Sequence, residues 1–116
     1  MAVANFQTGV YVNAEENYYA APQQVNGQGQ IIGHSHVVIE TLTALDQTTP
    51  TNPQNFTFFT GLNDPAANGT LTANVTGGLP AGYYRLSSIN TAANHQPVLV
   101  PLAQRGSLDD AVYVSE

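Results

Sequence analysis

The amino-acid sequence predicts an all-β protein, an antiparallel β-sandwich of about seven to eight strands. Two observations lead to this fold class. Apolar residues alternate with polar ones along short segments, instead of recurring at the spacing of a helix. Segments rich in Gly, Pro, Asn and Asp separate these runs, and such residues favour turns. At 116 residues the chain is predicted to form a single domain, residues 1–116.

The longest strand candidate is residues 31–42, with the sequence IIGHSHVVIETL. Side chains two apart on a strand share a face, so its even-numbered residues are expected on one face and its odd-numbered residues on the other. Residues 13–22 are the one helix-like segment, but they end at Pro22, and a single turn or an irregular loop fits equally well. Residues 1–28 are expected to form an N-terminal arm plus a polar linker. The remaining strand candidates are 6–12, 55–62, 69–76, 82–89, 97–102 and 110–115.

The segment GLPAGYYRL, residues 78–86, predicts a turn that leads into a strand. Pro80 fixes its own φ angle, and Gly82 permits backbone angles that other residues avoid. Tyr83 and Tyr84 then lie on opposite faces of the strand, so only one of them can be buried. We expect Tyr84 to be the buried one.

The charge composition excludes several classes of partner. The chain has two Arg, no Lys and eight acidic residues, which gives a formal net charge of −6. Nucleic-acid binding requires several Lys or Arg side chains to neutralise phosphates, and anionic membranes attract basic segments. We therefore expect neither nucleic acid nor membrane as a partner. With no cysteine, disulfides, thiolate metal sites and cysteine nucleophiles are excluded.

The polar residues favour a secreted protein. Only 9% of residues are charged, so Asn, Gln, Thr and Ser must supply most of the polar surface. Three Asn-X-Ser/Thr sequons, at Asn55, Asn68 and Asn74, predict glycosylation in a secretory pathway. The first twelve residues lack the basic and apolar segments of a signal peptide, so secretion would imply a processed or trimmed chain.

Two histidines in the longest strand suggest a metal site. His34 and His36 are two residues apart, so their imidazoles are expected on one face together with Glu40. His95, in a predicted loop, could supply a third nitrogen, and Glu40 could orient or bind the ion. Neutral imidazoles suit copper or zinc. The same pattern also arises when histidines face solvent or form hydrogen bonds between strands, so both interpretations stay open.

Three motifs carry a resemblance to a known group. GHSH at 33–36, GLPAGYYRL at 78–86 and NTAANHQP at 90–97 resemble segments of secreted fungal β-sandwich proteins. The resemblance covers residues 31–102 and implies an immunoglobulin-like or cupredoxin-like sandwich and a secreted origin. It implies a metal role only for His34, His36 and His95. A blue-copper site is excluded because the chain has no cysteine ligand.

Other residue patterns are less specific. Calcium could be held by Asp109–Asp110 with Asp64 or with Glu15–Glu16, but no EF-hand spacing is present. No motif marks a glycosidase carboxylate pair, a nucleophile elbow or a phosphate-binding loop. Tyr18 and Tyr19 lie outside the strand pattern. They could bind a carbohydrate or an apolar ligand such as a pigment, mediate self-association, or cover an edge of the sandwich.

The sequence thus favours a secreted, non-enzymatic binding or structural protein with a histidine-based divalent metal site. Its first alternative is a small extracellular copper- or zinc-dependent enzyme that uses the same histidines. A further alternative is a carrier of an apolar ligand or pigment, or a self-assembling surface protein that forms homo-oligomers.

Overall fold

The computed structural model describes residues 1–103 and 106–116. Most of its regular structure is strand, which confirms the all-β prediction. No helix in the described part of the chain has the length and apolarity needed to cross a bilayer. The predicted turn over residues 105–110 begins outside the described residues. The elements are β1 (Phe6–Gln7), α1 (Ala14–Asn17), β2 (Ile31–Leu42), β3 (Phe58–Leu62), β4 (Tyr83–Ala92) and β5 (Ala111–Ser115).

The five strands form one mixed sheet around β2. Along one edge, residues 33–42 of β2 pair antiparallel with β4, and β4 in turn pairs antiparallel with β5. The other edge of β2 is shared. Residues 35–39 pair antiparallel with β3, and residues 31–32 pair parallel with β1. The chain therefore places β2 at the centre, with paired strands on both sides over residues 35–39.

The register of the sheet defines two faces, because residues paired directly across strands point to the same side. The histidine face carries His34, His36, Val38 and Glu40 of β2, as the alternation predicted. The opposite face, here called the core face, carries Ile39, which is fully buried. The buried apolar residues are Ile39, Leu42, Leu62, Leu71, Tyr84 and Ala92.

Tyr84 occupies the core face, as the sequence predicted. Its side chain is buried, while that of its neighbour Tyr83 is 43% exposed. The Tyr84 hydroxyl donates a hydrogen bond of 2.6 Å to the carbonyl oxygen of Pro80. The ring therefore connects the turn before β4 to the core, and its one polar atom is satisfied.

Residues 69–76 were predicted as a strand and are not one in the structure. Their burial does alternate: Leu71 is buried, while Thr70 and Thr72 are exposed. The backbone, however, bonds to the N-terminus instead of to the sheet, since the Leu71 N–H donates to the carbonyl oxygen of Met1. Alternation records which side chains are buried, and it does not record which backbone is paired.

Residues 97–102 were also predicted as a strand and are not one. Pro97 and Pro101 lack the N–H groups that a ladder requires. The intervening Leu99 N–H donates to the side chain of Gln23. The described residues consequently form five strands in one mixed sheet, in place of the predicted antiparallel sandwich of about seven to eight strands.

The N-terminal residues run beside the sheet. The strand predicted over 6–12 is limited to β1, because Gly9 adopts a left-handed φ of +83°. Beyond it, the Val10 N–H donates to the carbonyl oxygen of Gly33, and the Val12 N–H donates to that of Ala93. These bonds bring the N-terminal segment against the end of the sheet where the histidines lie.

Candidate metal centre

Two strands and a turn bring the three histidines together. His34 and His36 share the histidine face of β2, and His34 is directly opposite Thr91 near the end of β4. The chain then turns, with the His95 N–H donating to the carbonyl oxygen of Ala92. His95 has a φ of +68°, in the left-handed region that non-glycine residues rarely adopt. This conformation directs the turn back over the sheet end.

The three imidazoles are close enough to bind one ion. One ring nitrogen from each lies within 4.8 Å of the others. The ring centroids of His34 and His36 are 4.8 Å apart, and those of His34 and His95 are 4.6 Å apart. His34 is fully buried, whereas His36 and His95 are half-buried.

Backbone carbonyls determine which nitrogens carry protons in two of the rings. His34 Nδ1 lies 3.2 Å from the carbonyl oxygen of Val10, and His95 Nε2 lies 3.0 Å from that of Val12. A carbonyl only accepts, so each of these nitrogens must be an N–H donor. The remaining nitrogens, His34 Nε2 and His95 Nδ1, then present lone pairs to each other at 3.2 Å, and the Thr91 hydroxyl also lies 3.2 Å from His34 Nε2.

His36 adds a third nitrogen without a partner. Its Nδ1 is buried and has no hydrogen-bond partner among the described residues. Its ring stacks on Phe59, with centroids 5.2 Å apart. Burial, followed by the nearby charge of His95, lowers the pKa of His36. Burial likewise lowers the pKa of His34 to about 4. Both rings are therefore neutral near pH 7, as metal ligands must be.

The spacing of the His34 and His95 nitrogens matches a tetrahedral ion. Two nitrogens bound at about 2.05 Å to tetrahedral zinc lie about 3.3 Å apart. The 3.2 Å between His34 Nε2 and His95 Nδ1 agrees with this value. The carbonyls of Val10 and Val12 would be the outer partners that hold each ring in the metal-binding tautomer.

The family of the chain is known from comparison with other proteins. The profile described as the CLU5d N-terminal domain matches residues 1–115. The chain belongs to the CLU5d N-terminal domain family. It is 48% identical over 112 residues to "Pathogenicity cluster 5 protein d" of Colletotrichum graminicola, a match that covers 95% of this chain and 23% of that protein. The chain thus spans about a quarter of its relative. No solved structure matches it.

In this CLU5d N-terminal domain, Glu40 lies on the histidine face but outside the cluster of three nitrogens. Its buried carboxylate accepts hydrogen bonds from the Nε (3.1 Å) and Nη2 of Arg85. Burial alone would raise the pKa of Glu40, but the hydrogen bonds from Arg85 and Thr51 outweigh it and lower that pKa. Glu40 is four residues beyond His36, about 13 Å along a strand. Glu40 is therefore paired with the guanidinium of Arg85 and is not a ligand of the histidine cluster.

The two tyrosines singled out in the sequence lie next to the cluster. Tyr18 and Tyr19 are 61% and 52% exposed and stack on each other at 4.3 Å. Tyr18 also stacks over His95, with centroids 6.0 Å apart. Asn94 holds this segment in place, since its carbonyl accepts the Tyr19 N–H. The tyrosines thus form an exposed aromatic column on the outer side of the histidine cluster.

The remaining predicted sites are dispersed. Asn55, Asn68 and Asn74 are all exposed, and Asn68 forms a tight Asn-Gly turn with Gly69. Asp109 accepts the Asn90 N–H at 2.9 Å. Among the described residues, the acidic side chains do not assemble into a group of three that could hold calcium.

The sequence did not indicate the groups that orient the imidazoles. These are the carbonyls of Val10 and Val12, the hydroxyl of Thr91 and the ring of Phe59. Carbonyl positions have no residue signature. Only Thr91 could have been found, by extending the pairing of β2 with β4.

Proposed function

We propose that this domain binds one divalent zinc or copper ion through His34, His36 and His95, in a non-enzymatic binding role. One observation carries the proposal. Two imidazoles that both donate to backbone carbonyls present unprotonated nitrogens to each other at 3.2 Å. Two facing lone pairs repel, and a cation between them removes that repulsion. The Thr91 hydroxyl also lies 3.2 Å from His34 Nε2, so the nitrogen without any partner is Nδ1 of His36, which adjoins the same space.

A proton between the rings is the competing explanation. It would make one of the two rings an imidazolium, and for His34 the low pKa makes that charged form costly at neutral pH. A metal ion removes the repulsion without charging either ring. Three neutral nitrogens suit zinc or copper better than calcium or magnesium, which prefer oxygen ligands.

An extracellular metal-dependent enzyme is the second candidate. Among the described residues only three side chains converge, so a four-coordinate ion would retain one position for water or substrate. Catalytic zinc sites keep such an open position, whereas structural sites are closed. This open position favours the enzyme. Within the described residues, however, no recognised acid or base lies beside the histidines, and this favours binding without catalysis.

Secretion and glycosylation are part of the proposal. They are supported by the three exposed sequons at Asn55, Asn68 and Asn74, and by a surface built from uncharged polar residues. The name of the fungal relative refers to a pathogenicity cluster. The extracellular location that we propose for this chain is supported by the sequons and the polar surface, not by that name.

Calorimetric titration of untagged, metal-free protein with Zn²⁺ or Cu²⁺ tests the metal site. We expect one ion per chain, and a loss of affinity of about 100-fold in His36→Gln and His95→Gln, because each removes one ligand. At a free metal concentration 100 times the dissociation constant, unfolding should require about 2.7 kcal/mol more.

Glu40→Gln and Glu15→Gln are the matched controls. Glu40 shares the face but has Arg85 as its partner, and Glu15 is an exposed acid outside the cluster of three nitrogens. Both variants should retain the wild-type affinity within twofold. Equal metal binding by wild type and both histidine variants would refute the proposal.

Cobalt substitution separates the binding protein from the enzyme. A cobalt-loaded domain with an open position should change its visible spectrum when azide is added. A spectrum unaffected by azide would indicate a closed ligand shell and a purely structural ion.

A further inference from the structure

A groove on the histidine face begins where the cluster ends. Phe59, Val38, Ser87 and Ala111 are paired directly across four strands, so they form one row over the sheet. With strands about 4.8 Å apart, this row is about 14 Å long. Its small residues form the floor of an open groove of about 700 Å³.

Aromatic rings form one wall of the groove. Phe56 and Phe59 are each 49% exposed, and their centroids are 5.9 Å apart. Pro50 and Pro53, in the loop before β3, complete this wall. Half-exposed rings around a concave floor are typical of sites that bind apolar or aromatic small molecules.

The charges of the groove disfavour a charged ligand. Glu40 and Arg85 both line it, but they neutralise each other in an ion pair. Asp109 and Asp110 lie at the far end, in a chain of net charge −6, so an anion would be repelled. The aromatic wall and the compensated ion pair match an uncharged ring system.

The groove and the histidine cluster share a boundary. His36 lies in the next row, two residues from Val38 on the same face, which is about 7 Å along a strand. Its ring stacks on Phe59, the first residue of the aromatic wall. A molecule lying in the groove would therefore end beside the imidazole of His36.

We propose that this groove binds an uncharged aromatic small molecule next to the histidine cluster, with an oxygen donor of the molecule directed to the open position of the bound metal. The second part of this inference rests on the proposed metal site. The first part does not, because the groove is formed without the metal.

Fluorescence titration of metal-free protein with N-phenyl-1-naphthylamine, a neutral aromatic probe, tests the first part. We expect saturable binding of one probe per chain, weakened about tenfold in Phe59→Ala and less in Phe59→Leu. Val112→Ala is the matched control, since Val112 is 53% exposed but lies on the core face opposite Leu86. It should bind the probe as the wild type does.

Several outcomes would contradict the proposal that the groove binds an aromatic small molecule. Non-saturable binding, or an equal loss in Val112→Ala and Phe59→Ala, would show that the probe merely adheres to apolar surface. Probe affinity that falls as protein concentration rises, with dimers seen by light scattering, would show that a second copy fills the groove.

Competition in the presence of Zn²⁺ tests the second part. The metal should strengthen displacement of the probe by 1-naphthol, which has an oxygen donor, at least fivefold, and leave displacement by 1-methylnaphthalene unchanged. His95→Gln should abolish this gain. If zinc changed displacement by 1-naphthol and by 1-methylnaphthalene equally, the proposal that an oxygen of the ligand binds the metal would be wrong, while binding in the groove would not be affected. Failure of the calorimetric metal titration would remove the metal site while the groove result stands.

Discussion

The two ends of the histidine face of β2 differ in whether their buried polar groups have partners within the chain. At one end, the buried carboxylate of Glu40 is held by Arg85, which also donates to the Thr51 hydroxyl, so the charge of Glu40 is compensated within the chain. At the other end, His34, His36 and His95 converge, and the buried Nδ1 of His36 has no hydrogen-bond partner among the described residues. Buried polar groups are normally satisfied. The contrast indicates that the first end contributes to stability and the second is arranged for an external ligand.

The largest expected effect comes from the close contact that supports the histidine end. A Cβ atom at Gly33 would collide with the carbonyl group of Thr91, the residue opposite His34. Because backbone cannot move aside as a side chain can, Gly33→Ala should lower the free energy of unfolding by about 3 kcal/mol. Urea denaturation measures this loss.

Gly61→Ala is the control for a glycine in the same sheet. Its added Cβ would meet only the flexible side chain of Asn63, at 3.0 Å. It should cost less than about 1 kcal/mol. Equal losses in the two variants would show that the close approach of β2 to β4 does not matter.

At the opposite end, Glu40→Gln should lower the free energy of unfolding by about 2 kcal/mol. The substitution keeps the size of the side chain but leaves Arg85 without its charged partner. Asp46→Asn, an exposed acid in the loop after β2, should change stability by less than about 0.5 kcal/mol. A loss no larger than that of Asp46→Asn would mean that the pair is not stabilising.

The same ion pair predicts a pH dependence. The folded-state pKa of Glu40 lies below its ordinary value of 4.5, so its contribution is complete above that pH. It is lost as the pH falls through the lowered folded-state pKa. The difference in urea midpoint between wild type and Glu40→Gln should therefore be constant between pH 7 and pH 5 and shrink below about 4.5. A difference that grows at low pH would contradict this assignment.

Sequence reasoning succeeded where the information was local. Period-two alternation depends only on the strand itself, so it correctly placed His34, His36 and Glu40 on one face. It could not show that Arg85 lies opposite Glu40, because that depends on the register between two strands distant in the chain. The strand predicted over 69–76 failed for a related reason, since its backbone pairs with the N-terminus.

The position of His95 was only partly predictable. Its place in a loop after a strand followed from the turn residues around it. Its contact with His34 depends on a left-handed φ at a residue that is not glycine, which no local pattern announced. Such strain is tolerated where the surrounding structure enforces it, and it often marks a functional site.

That strain can be measured with two variants that both remove the imidazole. His95→Ala should be less stable than His95→Gly by about 1 kcal/mol, because only glycine adopts the left-handed region without penalty. Urea midpoints in a chelator give the difference. Ala93→Gly is the control, because Ala93 is in the same turn but has no left-handed φ. There glycine should be less stable than alanine, the reverse of the order expected at position 95. Equal stability of the two His95 variants would show that the backbone at position 95 is not strained.

The smallest expected effect is also the most direct measure of the contrast between the two ends. His36→Phe replaces a ring that contains a buried, unpartnered nitrogen with one that retains the stacking on Phe59. Removing an unsatisfied polar atom should raise the metal-free free energy of unfolding by about 0.5 kcal/mol. His34→Phe should lower it, because His34 donates to the carbonyl of Val10. Thermal unfolding in a chelator compares them, and added Zn²⁺ should stabilise the wild type much more than His36→Phe. Equal destabilisation by both substitutions would mean that His36, like Glu40, is a structural residue whose ring nitrogen has a hydrogen-bond partner in the folded protein.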